Sequence, residues 1–211
     1  MDLLQTFHRE CDVTRGHFLV KTHWPVNAPD LVGSDLWNQF DAFVQIVRQP
    51  LAAIHSNMLL GRSGRHDSRE RMVLTESDRD WAMSQAAGWV EHERHWREAP
   101  IPRLVFRYED LRRRPLPIVM KAVDFLLPPG LRPSTEQVLC SLEHRQSAEP
   151  YTPHLAGYFS TWDLFEDSLR TDVLKRVAPT FCRYGYDLLA AEANHSLPFN
   201  CRCARGDAGL C

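Results

Sequence analysis

The segment that most constrains the fold of this chain is residues 43–56, where a short apolar run stops at Arg48 and a proline follows two positions later. Runs rich in valine, isoleucine and phenylalanine are typical of buried strands. Pro50 favours a helix start, because its fixed φ suits the first turn and its missing N–H would be unpaired there. The pattern predicts a strand, a short turn and a helix that carries Ser56 about two turns on.

This junction between strand and helix is suited to bind an anion. The N–H groups of the first helical turn and the helix dipole both attract negative charge. Arg48 adds a planar, permanently charged guanidinium that matches phosphate oxygens, and Ser56 adds a hydroxyl donor. The alternative is a structural junction whose arginine is only solvated.

A second strand pattern covers residues 16–25 and ends in Lys21, Thr22 and His23. Ligands of parallel α/β sheets bind outside the carboxyl ends of the strands, so Lys21, His23 and Arg48 are expected to share one rim. Histidine can remove a proton near neutral pH, and lysine can stabilise charge on a leaving group. This combination suits transfer of an anionic group from a phosphorylated donor to a hydroxyl or an amine.

A third segment, residues 103–115, predicts a strand followed by Tyr-Glu-Asp-Leu and a helix. In chain order the motifs are strand-Lys-Thr-His-x-Pro, strand-Arg-x-Pro-x5-Ser and strand-Tyr-Glu-Asp-Leu-x3-Pro. Together they resemble the sulfotransferases that use 3'-phosphoadenosine 5'-phosphosulfate (PAPS). The resemblance covers approximately residues 16–187, most of the chain.

The resemblance implies an α/β fold, a parallel sheet flanked by helices like that of the P-loop nucleotide kinases. It implies that His23 is the general base on the acceptor and that Lys21 assists beside it. Arg48 and Ser56 are implied to hold the 3'-phosphate of the donor, and Tyr108 to lie near its adenine. No metal is implied.

Each of these positions also has a structural interpretation. His23 can be a histidine of the core, and Tyr108 a packing residue. Glu109 and Asp110 can be a pair of acidic residues at a helix N-terminus. The functional interpretation therefore depends on the three motifs occurring together.

The chain departs from the family at its N-terminal end. Family members have a Gly- and Ser/Thr-rich loop that cradles the 5'-phosphosulfate, because glycine lets successive N–H groups converge on an anion. No such loop precedes Lys21, and the sequence contains no Gly-x4-Gly-Lys-Ser/Thr. We therefore expect an N-terminally truncated sequence that is poorly active or inactive as it stands. The alternative is a non-catalytic fragment or pseudoenzyme that binds phosphoadenosine or a protein partner; a P-loop kinase relative is a third, weaker one.

Composition limits the partners. The 211 residues can bury one sizeable core, here expected to be a domain over 1–190 with a Cys-rich tail over 191–211. The net charge of −2 disfavours nucleic acid. No apolar stretch approaches the roughly 18–20 residues that span a membrane, so a membrane link would need an anchor missing from this chain. The expected partners are the donor and a small-molecule, carbohydrate or protein acceptor.

The tail differs from the rest of the chain. Asn194-His195-Ser196 is an N-glycosylation sequon. Three clustered cysteines, which suit disulfides in an oxidising lumen, are Cys201, Cys203 and Cys211. Three scattered cysteines, which can be buried thiols, are Cys11, Cys140 and Cys182. The tail favours the Golgi lumen, with the cytoplasm as the alternative.

The remaining pattern predicts helices that support the sheet. The longest covers 78–98 with Ser77 as its N-cap, and its apolar stripe is expected to face the core. Others are predicted over 117–127, after a capping box at Ser134, and over 165–186. The polar residues between Gly61 and Asp80 are expected to form a mobile surface insertion.

Overall fold

A computed structural model describes residues 40–63, 72–148, 159, 161–199 and 201. The described residues belong to a compact unit that begins at Phe40. The predicted strand over 16–25, with Lys21 and His23, lies outside the described residues, and so do Cys203 and Cys211.

The sheet of the described part consists of β1 (Phe43–Val47) and β2 (Arg103–Arg107), which pair in parallel with Val47 opposite Arg107. Parallel strands need a long crossover, which here contains the helices α1 (Pro50–Ser63) and α2 (Arg79–Arg97). Helices packed around a parallel strand pair confirm the α/β class at this coarse level.

After β2 the described chain is helical. Its helices are α3 (Tyr108–Arg113), α4 (Pro115–Leu126), α5 (Thr135–Ala148), α6 (Asp167–Arg183) and α7 (Tyr186–Glu192). None of the helices in the described ranges combines the length and the apolar character that crossing a bilayer requires.

Capping explains several of these boundaries. The predicted capping box is confirmed: Gln137 N–H donates to Ser134 Oγ at 3.3 Å, and Ser134 N–H donates to Gln137 Oε1 at 2.8 Å. The predicted cap at Ser77 is wrong, because Thr75 caps a 3-10 turn over Glu76–Asp78 that leads into α2. The Thr75 N–H donates to Asp78 Oδ2 at 3.0 Å, and this hydrogen bond closes a turn that begins before Ser77.

The helix predicted over 165–186, with its end near residues 183–186, is confirmed as α6, which ends at Arg183; a further helix, α7, begins at Tyr186. Gly185 lies between them with a φ of 68°, in the left-handed region that glycine enters without steric cost. The chain therefore turns at Gly185, and Tyr186 becomes the first residue of α7 instead of the last of α6.

The core lies between the sheet and the helices α1, α2 and α6. The predicted stripe of α2 is confirmed as core, since Ala82 and Ala86 are fully buried. Trp81, Trp89 and Val90 from the same stripe pack against the buried cluster. Apolar spacing along α2 was therefore sufficient to identify its inner face.

The prediction of a surface insertion is wrong at Leu74, although Val73, Asp80 and the residues from Thr75 to Ser77 are exposed. Leu74 is 0% exposed, its N–H donates to the Leu164 carbonyl at 2.8 Å, and its own carbonyl accepts Glu166 N–H at 2.9 Å. The buried side chain of Leu74 thus anchors this mainly polar segment to the core. The spacing rule missed it, because a single apolar residue has no period.

Cys182 and Cys201 form a disulfide that ties α6 to the C-terminal part of the chain. The expectation that Cys182 and Cys140 are buried thiols is wrong, since Cys182 is disulfide-bonded and Cys140 is exposed. Leu197 and Phe199 also pack against the core, and the ring of Phe199 contacts Phe181 of α6.

We expect Leu74→Ala to lower the free energy of unfolding by about 2–5 kcal/mol, because it removes a fully buried side chain and leaves a cavity. Urea denaturation measures this change. Leu188→Ala is the matched control, since Leu188 is 52% exposed on α7 and should change stability by less than about 0.5 kcal/mol. Equal effects of the two substitutions would contradict the buried position of Leu74.

Candidate functional site

Arg48 and Tyr108 meet at the carboxyl edge of the two parallel strands. Each follows directly after the last paired residues, Val47 and Arg107. The Arg48 guanidinium carbon lies 5.0 Å from the centroid of the Tyr108 ring, within the range of a cation–π contact. Both side chains are half-buried, and among the residues that the structure describes no carboxylate forms an ion pair with Arg48. The strand register thus creates a cationic and aromatic pair at this edge.

The backbone of Arg48 is held from α2. Trp89 Nε1–H donates to the Arg48 carbonyl at 3.1 Å. The sequence pattern assigned Trp89 to the core, and the same residue also fixes the position of the arginine. Its spacing on the helix identifies the face, but nothing in the sequence identifies the acceptor.

A buried carboxylate joins this edge to the last helix. Glu109 Oε1 accepts the Gln49 N–H at 2.9 Å, and Glu109 Oε2 accepts the Tyr186 hydroxyl at 2.9 Å. The Tyr186 hydroxyl also lies 3.3 Å from the Val47 carbonyl. Glu109 therefore connects the end of β1 with α3 and α7. Its place directly after a strand end is a sequence clue to this role, whereas Tyr186 has none.

The environment changes the pKa values of both partners. Burial raises the pKa of Glu109 above its ordinary value of 4.5, while the Gln49 N–H, the Tyr186 hydroxyl and the Arg48 charge each oppose that rise. Burial and the adjacent Glu109 raise the pKa of Tyr186 well above 10.0. The Tyr186 hydroxyl therefore stays protonated at neutral pH and remains a donor to Glu109.

The N-terminus of α1 is less open than its sequence suggests. Gln49 Oε1 accepts the Ala52 N–H at 2.7 Å, and the Gln49 carbonyl accepts the Ala53 N–H at 2.9 Å. Ala52 N–H, a first-turn donor that was expected to attract an anion, is thus already satisfied by the Gln49 side chain, whereas Ala53 N–H makes the first ordinary hydrogen bond of the helix. Attraction of an anion at this edge depends mainly on Arg48. The side-chain amide nitrogen of Gln49, Nε2, is buried and has no hydrogen-bond acceptor in the described part.

Ser56 lies on α1 and is half-exposed. It follows Pro50 by six residues, which is about 9 Å along the helix axis at 1.5 Å per residue. Within the described ranges the structure shows no contact that joins its hydroxyl to Arg48 or Tyr108. Arg48 and Tyr108 are therefore brought together directly, and Ser56 is not.

His55, which precedes Ser56, is a residue that the sequence patterns missed. It is buried, and its Nε2 lies 2.9 Å from the Met72 carbonyl. Burial lowers the pKa of His55 despite that hydrogen bond, and the charge of Arg48 lowers it further. A neutral imidazole that donates from Nε2 fits these contacts, and it fastens α1 to the chain at residue 72.

The predicted catalytic pair, Lys21 and His23, lies outside the described residues. The site as described therefore contains Arg48 and Tyr108 but not Lys21 and His23. Within the described ranges, no three His, Cys, Asp or Glu side chains are grouped so that they would hold a metal ion.

Comparisons with protein-family models, with curated proteins and with solved structures found no match. Function therefore has to rest on the chemistry of the residues at this edge, above all Arg48 and Tyr108.

We expect Glu109→Gln to change how stability depends on pH. The pKa of Glu109 is higher in the folded chain than its ordinary value of 4.5, which we take for the unfolded chain. At pH values between 4.5 and the raised pKa, the folded state therefore binds more protons than the unfolded state. The contribution of Glu109 to the free energy of unfolding should therefore fall as pH rises through this window and level off above it. Glu109→Gln lacks this fall.

Urea denaturation of the wild type and of Glu109→Gln at pH values from 4.5 upward measures the difference between their free energies of unfolding. The titration of the other groups cancels in this difference. Glu192→Gln, at an exposed position of α7, is the matched control and should keep the wild-type profile. Identical pH profiles for the wild type and Glu109→Gln would show that burial does not raise this pKa.

Proposed function

We propose that this chain is a sulfotransferase domain of the PAPS-dependent class with a fold like that of the P-loop nucleotide kinases. The edge formed by Arg48 and Tyr108 would hold the adenosine 3'-phosphate end of the donor. The observation that carries the proposal is the half-buried guanidinium over an aromatic ring at the carboxyl ends of two parallel strands.

The state of Arg48 supports a phosphate ligand. Its guanidinium has no carboxylate partner in the described part, and its backbone is fixed by Trp89. A fixed guanidinium can donate two parallel hydrogen bonds to a phosphate, which are about twice as strong as neutral ones. The buried Gln49 amide nitrogen without an acceptor is a second polar donor next to this position.

The state of Tyr108 supports a purine. Stacking of a base on an aromatic side chain contributes about 1–3 kcal/mol. Tyr108 is half-buried beside the cation, so one ligand with a base and a phosphate can use both side chains. We assign the adenine to Tyr108 and the 3'-phosphate to Arg48.

The chemical step is assigned to the N-terminal pair. His23 takes the proton of an acceptor hydroxyl or amine while the acceptor atom bonds to sulfur. The bond between sulfur and the bridging phosphate oxygen breaks, and adenosine 3',5'-bisphosphate leaves. Lys21 stabilises the charge on the bridging and leaving oxygens. Small molecules, carbohydrates and proteins are all suitable acceptors.

A second candidate is binding of phosphoadenosine without transfer. The observation that favours it is the sequence itself, which has no Gly- and Ser/Thr-rich loop before Lys21 to cradle the 5'-phosphosulfate. Donor binding without turnover distinguishes this candidate from the enzyme.

We expect Arg48→Ala to weaken binding of adenosine 3',5'-bisphosphate by about 10- to 100-fold, because it removes charge-assisted hydrogen bonds of about 1.5–3 kcal/mol. Isothermal titration calorimetry measures the dissociation constant. Arg176→Ala removes the same charge from an exposed position on α6 and should leave the affinity unchanged. Unchanged affinity in Arg48→Ala, or no binding by the wild type, would remove this edge from the proposal.

We expect His23→Ala to lower sulfate transfer by about 10²- to 10⁴-fold, which is the usual contribution of a general base. The assay uses PAPS labelled in its sulfate and a phenol, a saccharide and a tyrosine peptide as acceptors. The affinity for adenosine 3',5'-bisphosphate should stay within the error of the wild-type value. Binding by the wild type without any transfer would favour the second candidate, and transfer undiminished in His23→Ala would remove His23 from the catalytic role.

A further inference from the structure

The turn after α7 presents an asparagine to solvent. Asn194 has a φ of 57°, in the left-handed region that asparagine tolerates better than most residues. Its N–H donates to the Ala191 carbonyl at 3.1 Å, and the N–H of His195 donates to the Ala190 carbonyl at 2.9 Å. These two hydrogen bonds close the end of α7 and fix the turn.

The three residues of the sequon have different environments in this turn. Asn194 and Ser196 are exposed, whereas His195 is only partly exposed. The His195 ring stacks on Trp162 with centroids 4.2 Å apart and planes 18° apart, and it meets Phe159 edge-on at 5.2 Å. The middle residue therefore anchors the turn to the core. The two residues that define an N-glycosylation acceptor remain accessible.

The disulfide between Cys182 and Cys201 is a second, independent observation. It encloses the sequon, since Asn194 lies between its two cysteines in the sequence. Disulfides persist in the oxidising lumen of the secretory pathway, the compartment in which N-linked glycans are added. We propose that Asn194 carries an N-linked glycan.

The reaction uses a lipid-linked oligosaccharide pyrophosphate of the luminal membrane as its donor. The Asn194 side-chain nitrogen bonds to the anomeric carbon of the first sugar, and the bond from that carbon to the pyrophosphate oxygen breaks. The amide loses one proton, and the lipid pyrophosphate leaves. This inference is independent of sulfate transfer, because neither Arg48 nor Tyr108 takes part in it.

The chain isolated from the cells that naturally make it provides the first test. Mass spectrometry should show Asn194 linked to whole hexose and N-acetylhexosamine units, and peptide N-glycosidase should release them and leave aspartate at position 194. An unmodified Asn194 in that chain would overturn the proposal.

Variants of the full chain, expressed behind a cleavable secretion leader, provide the second test. Ser196→Ala leaves Asn194 and its turn in place but destroys the sequon, so the glycan should be lost. Ser196→Thr keeps the sequon and should keep the glycan. Asn57→Gln, at an exposed asparagine outside any sequon, is the matched control and should remain glycosylated. An unglycosylated wild type beside a glycosylated reporter, or a glycan that persists in Ser196→Ala, would contradict the proposal.

Discussion

The buried carboxylate of Glu109 is the interaction on which the arrangement of the candidate site depends. It accepts hydrogen bonds from the Gln49 backbone and from the Tyr186 hydroxyl, so it joins two strand ends and the last helix of the described part. A buried carboxylate is costly unless such donors surround it. The same contacts that make its burial tolerable hold the end of β1, and with it Arg48, beside Tyr108.

The strands that end at Arg48 and Tyr108 could be predicted from sequence, and parallel strands end at a common edge. The direct contact between the two side chains was not predicted. The capping box at Ser134 and the inner face of α2 could also be predicted from sequence, because both depend on short, regular spacings. The bond from Tyr186 to Glu109, the burial of Leu74 and the disulfide from Cys182 to Cys201 could not be predicted. Each joins residues far apart or lacks a periodic pattern, so only the packed chain determines it.

The expected anion site also became more specific. The Gln49 side chain folds back over the first turn of α1 and accepts the N–H of Ala52. The helix end therefore offers a dipole with few free donors, and in the proposed function the guanidinium of Arg48 would supply the directional hydrogen bonds. This division of roles favours a ligand that brings both a phosphate and a ring to the edge. A free phosphate alone would leave Tyr108 unused.

The two donors to Glu109 differ in which residues can supply them. A backbone N–H like that of Gln49 is available from every residue except proline, whereas a hydroxyl at the tip of a buried ring is available only from tyrosine. Replacing Tyr186 by phenylalanine would leave a buried carboxylate oxygen without its donor, unless position 109 changed as well. Positions 109 and 186 are therefore energetically coupled, although 77 residues separate them in the chain.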